Sequence, residues 1–169
     1  MGCVILGITR SSFTLVHVLI SLTAAGSGFI VIFGLLKRKL FDGWITIFFS
    51  ASTLTVLTGF MFPFDNLLRS HVLGLLSLLA LTISLDIRIA SGLIGRWRAA
   101  YVLMLAAALY FDCFAAVVQL FAKIPALKAI APTQTEPPYL AAQCVVLAIF
   151  VVLTYLAAKR FTVSQTRTS

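Results

Sequence analysis

Residues 13–36 contain no Asp, Glu, Lys or Arg, and the run ends at Lys37, Arg38 and Lys39. As a helix, such a stretch rises about 36 Å, enough to cross a hydrocarbon layer of ~30 Å. Four more apolar runs follow, at about 44–62, 71–89, 99–122 and 139–158. Each is long and continuous, unlike the alternating ten-residue strands of a membrane barrel. Helices satisfy their own backbone groups inside lipid, so each run reads as a spanning helix. The expected fold is all-α: a polytopic transmembrane bundle of five spans forming one domain over residues 1–161, with a polar tail at 162–169.

Composition agrees with lipid as the main solvent. Charged residues make up 11% of the chain and hydrophobic residues 61%, whereas a soluble domain carries about 25% charged residues to wet its surface. The net charge of +8 sits at the ends of the apolar runs. That pattern sets topology and builds no phosphate-tracking face, so nucleic acid is excluded as a partner. With the N-terminus outside, the inner side receives Lys37, Arg38, Lys39, Arg88, Arg96, Arg98, Lys159, Arg160 and Arg167. The outer side receives Arg10, Arg69, Lys123 and Lys128. Nine against four predicts N-out, C-in. The first run also follows Arg10 as a signal peptide would, but its length and basic stop predict a retained span. Leu6 stands where a myristoylation motif requires Ser or Thr. Cys3, Cys113 and Cys144 lack metal or redox spacing.

The connections are read from their prolines. Pro63 predicts a sharp end to the second helix. Pro125, Pro132, Pro137 and Pro138 predict a stiff, non-helical cap over 123–138.

Helices in lipid associate through small residues and buried polar groups. His17, Ser21, Ala24 and Gly28 fall on one face of the first helix, the expected packing face. Ala108, Asp112, Ala115 and Gln119 form a similar stripe on the fourth, and His71, Gly74, Leu78 and Thr82 on the third. His17 lies about 30 Å before Lys37 and His71 about 26 Å before Arg88 at helical rise. Gln119 and Gln143 fall one turn from the same boundary, with Thr58 and Arg69 at a similar level. The expectation is a polar layer at one depth.

Four readings of the two histidines stay open. They bind a b-type haem as axial ligands, hold a quinone headgroup, share a metal, or simply hydrogen-bond neighbours and water. A metal would need a third ligand, and Asp112, about 16 Å in from Lys123, lies deeper than the imidazoles. No metal site is assigned. A carboxylate at the depth of Asp112 costs of order 3 kcal/mol to insert. It is expected to face the bundle interior, either as a proton-relay or ligand contact or as a neutral acid bonded to a hydroxyl of the second span. Asp86 reads as an interfacial charge near Arg88. No nucleophile elbow, metalloprotease motif, P-loop or dinucleotide fingerprint occurs.

The segments Thr58-Gly59-Phe60-Met61-Phe62-Pro63, Arg69-Ser70-His71 and Ala131-Pro132-Thr133-Gln134-Thr135-Glu136-Pro137-Pro138 resemble a group of small bacterial multi-span membrane proteins of unassigned function. The resemblance covers about 13–161 and implies the cell inner membrane. Arg69, His71 and Gly74 are also faintly similar to the helix starts of cytochrome b561-like proteins, which implies haem b. The leading expectation is a non-enzymatic membrane bundle or partner subunit, in contact with the lipid bilayer and with a membrane protein partner or a second copy of itself. The alternatives are a small redox protein binding haem or quinone through His17 and His71, and a small proton-coupled carrier using Asp112.

Overall fold

A computed structural model describes residues 4–5, 8–61 and 69–162, with side chains over 11–61 and 72–162. Two short strands, β1 (Val4–Ile5) and β2 (Ile8–Thr9), pair antiparallel with Val4 opposite Thr9. Every other element is helical: α1 (Arg10–Leu36), α2 (Asp42–Phe60), α3 (Arg69–Ser91), α4 (Trp97–Lys123), α5 (Pro125–Ile130) and α6 (Pro137–Thr162). All but α5 are long and apolar enough to cross a membrane, as in a multi-pass membrane protein. Each extends to or beyond its expected apolar run at one end or both, because helical hydrogen bonding continues into the polar flanks.

Helices α1 and α4 form the centre. On one side α2 packs on α1 and α3, and α3 packs on α4; on the other, α6 fills the notch between α1 and α4. The main core joins Val31, Ile32 and Leu35 of α1 with Phe48 of α2 and Leu105 and Leu109 of α4. Gly28 makes the close approach possible: a Cβ there would sit 2.6 Å from Leu109 Cδ1 and 2.9 Å from Phe48 Cε2. A smaller cluster of Val118, Phe121, Ala131 and Tyr139 packs where α4 meets α6. Outward faces are apolar, with Leu15, Leu19 and Leu22 on α1 and Val145, Val151 and Val152 on α6 all exposed. Such a surface suits hydrocarbon and would drive aggregation in water.

The chain alternates direction through the bundle. One end carries residues 37–41, residues 92–96 and the C-terminus of α6; it holds the basic clusters and is called the basic end. The other carries α5 and is called the α5 end.

At the basic end the chain turns back over Gly34, where a Cβ would lie 2.8 Å from Phe41 Cδ2. Lys39 N–H bonds Gly34 O at 2.9 Å. Arg98 ties three segments together. Its Nε donates to Leu93 O (2.8 Å), its Nη1 donates to Phe161 O (3.0 Å), and its guanidinium lies 4.8 Å over the Phe161 ring. One side chain thus closes the α3–α4 turn and caps a last-turn carbonyl of α6.

The proline-rich connection departs from expectation. Instead of a non-helical cap, residues 125–130 form α5, and Pro137 opens α6. Pro125 stands in the first turn of its helix, where a missing N–H leaves no hydrogen bond unmade. Between α5 and α6, Gln134 adopts a positive φ of 58° and donates from Nε2 to Val118 O at 2.9 Å. The expected stop at Pro63 and the tail from 163 onward lie outside the described residues.

Candidate functional site

The polar centre of the bundle is Asp112, on α4. Ser52 of α2 donates to its Oδ2 at 2.8 Å, and Ser77 of α3 donates to its Oδ1 at 2.8 Å. Both serines are fully buried. The carboxyl therefore pins three helices at one point. Ser77 Oγ also lies 3.3 Å from Ala108 O. Each serine hydroxyl thus donates to one carboxyl oxygen. Every hydroxyl hydrogen then has an acceptor, as buried polar groups require.

Nearer the α5 end, His17 Nδ1 lies 2.8 Å from Thr58 Oγ1. A Cβ at Gly59 would be 3.7 Å from the His17 Cε1 atom, so the ring lies over a stretch of α2 that carries no side chain. Thr58 also donates to Leu54 O at 2.7 Å. His71 lies in the first turn of α3, and its side chain is outside the described residues. Arg69 likewise lies in the first turn of α3 without a described side chain.

The other expected positions divide. Ala24 and Gly28 are buried, and Ser21 is half-buried with its hydroxyl bonded to His17 O at 2.8 Å. Gln143 is buried on α6, donating from Nε2 to Tyr139 Oη (3.2 Å) and Phe114 O (3.4 Å). Gln119 is exposed. At its level α4 packs through Val118 and Phe121 against Ala131 and Tyr139, which turns Gln119 outward. The layer expected from depth alone therefore does not include Gln119 in the interior. Thr82 is exposed as well, its hydroxyl bonded to Leu78 O in its own helix at 2.8 Å. The buried polar positions of α3 are Ser77 and Ser84, a face rotated from the expected stripe.

Two features were not read from the sequence. Tyr101, fully buried near the start of α4, sits beside the ion pair between Arg88 Nη2 and Asp42 Oδ1, 2.7 Å long. Thr55, one turn from Ser52, holds a buried Oγ1 with no hydrogen-bond partner. Among the described residues no cluster of three His, Cys, Asp or Glu side chains forms a metal site. A shallow groove of about 330 Å³ between α4 and α6, lined by Leu103, Ala107, Tyr110, Phe150 and Tyr155, opens to the outside of the bundle. No family model, curated protein or solved structure matches the chain.

Proposed function

We propose that this chain is a non-enzymatic membrane protein: a five-span bundle that serves as a scaffold or partner subunit in a bacterial inner membrane, with its N-terminus outside. The observation that carries this reading is the Asp112 cluster. Both carboxyl oxygens are engaged by serines from two other helices, so the costliest polar group in the membrane serves to close the bundle. The accumulation of basic residues at one end supports the orientation.

Purification of the full chain in mild detergent tests the reading. The expected preparation contains no stoichiometric chromophore or quinone; either one would overturn it. Single cysteines placed at Asn66, Thr135 and Thr166 test the orientation. The first two should react with a membrane-impermeant thiol reagent from outside, and the third should not.

A second reading, a small redox protein, is favoured by His17. Thr58 holds its Nδ1 at 2.8 Å, the kind of bond that orients an imidazole where it ligates. The second ligand would be His71. A Soret band in protein expressed with ample haem, lost in His17→Ala, would establish the haem form of that reading.

A further inference from the structure

The hydroxyls of α2 form an ordered series between two titratable groups, His17 and Asp112. Thr58 contacts His17, Ser52 contacts Asp112, and Thr55 stands midway, three residues from each. At helical rise each step covers about 4.5 Å along the axis. That exceeds a direct hydrogen bond and fits a bridge of one water per step.

Thr55 distinguishes this series from ordinary helix-satisfied hydroxyls. Thr46 and Thr58 bond the carbonyl four residues earlier in their own helix, at 3.0 and 2.7 Å. Thr55 makes no such bond, although its Oγ1 is buried. Leaving a buried hydroxyl unpaired is costly, and a bound water removes the cost. The imidazole lies against Gly59, where a Cβ would be 3.7 Å from its Cε1.

We propose that α2 carries a water-bridged proton path, through Thr58, Thr55 and Ser52, that joins His17 at the α5 end of the bundle to the Asp112 carboxyl. One proton enters from bulk water at His17, each hydroxyl or water passes one proton on and receives another, and the Asp112 carboxylate gains one. No electron moves. The titratable groups facing this path on the described elements are His17 on α1, Asp112 and its neighbour Cys113 on α4, and Lys123, the electrostatic neighbour of His17. At this level α2, α3 and α6 contribute hydroxyls and an amide: Ser52, Thr55, Thr58, Ser77 and Gln143. The path goes beyond the packing role of Asp112 proposed above, and that role stands whether or not protons reach the carboxyl by this route.

Infrared spectroscopy of the full chain in lipid bilayers tests the path. The carbonyl stretch of a protonated carboxyl lies apart from the amide bands, and Asp112→Asn identifies the contribution of Asp112. After an acid step and transfer to deuterated water, the rate at which this band shifts reports proton access. Thr55→Val keeps the side-chain shape and should slow the shift by at least about tenfold. Thr55→Ser should keep the wild-type rate. Thr58→Val breaks the next step and should slow exchange independently. Wild-type rates in both valine variants, or an Asp112 band that never responds to the acid step or to deuteration, would overturn the path.

Discussion

Asp112 and Ser52 stand 60 positions apart in the chain and 2.8 Å apart in the fold. That contact, with its counterpart from Ser77, joins α2, α3 and α4 through one carboxyl. Around it the bundle is held by shape: Gly28 admits Phe48 and Leu109 against α1. In lipid, apolar contact between helices gains little over contact with acyl chains, so close packing and polar contacts set the arrangement.

Gly28→Ala is expected to destabilise the bundle by about 1–3 kcal/mol, the cost of forcing a methyl group into a filled core. The added Cβ would lie 2.6 Å from Leu109 Cδ1. Gly26→Ala is the control, since a Cβ there meets nothing within 4 Å, and its effect should stay within ~1 kcal/mol. Denaturant unfolding in mixed micelles measures both. Equal effects would contradict the placement of α1.

Arg98→Ala is expected to lower stability by about 2 kcal/mol, through loss of charged hydrogen bonds to Leu93 O and Phe161 O. Arg98→Lys should recover only part, because an ammonium lacks the fork that reaches both carbonyls. Hydrogen exchange should show the loss concentrated in the last turn of α6.

The turn before α6 has a pH signature. Partial desolvation works against the charged form of Glu136, but bonds from Thr133 N–H (3.0 Å), Thr133 Oγ1–H (2.8 Å), Thr135 N–H (3.0 Å) and its own N–H outweigh it. The carboxyl is held at about 2, below its ordinary 4.5. Because the folded form binds its proton more weakly, the turn is fully stabilised above 4.5 and loses that contribution as pH falls through about 2. A carboxyl-carbon NMR titration should show this low midpoint, and Thr133→Ala should raise it. An unshifted wild-type midpoint would contradict the turn geometry.

The spans were legible because lipid imposes a length and an apolar composition that few other environments require. Asp112 was legible as an inward-facing group because its charge is costly wherever lipid surrounds it. Its partner Ser77 was not. A serine or threonine on a helix can satisfy itself on the carbonyl a turn earlier, as Thr82 does, so the residue type says little about which way it faces. Gln119 misled for a related reason: depth follows from sequence distance, but the direction a side chain points follows from which neighbour packs at that level. The helix α5 was hidden by its prolines, which break a helix in its interior and fit well in its first turn.

The most direct test of the central claim is a double-mutant cycle on Ser52 and Asp112, with unfolding measured in a bilayer-like medium. Ser52→Ala, Asp112→Leu and the pair should reveal a coupling of about 0.5–1.5 kcal/mol, the range of hydrogen bonds between membrane helices. Strictly additive effects, with no coupling, would show that the carboxyl does not join these helices and would contradict the account.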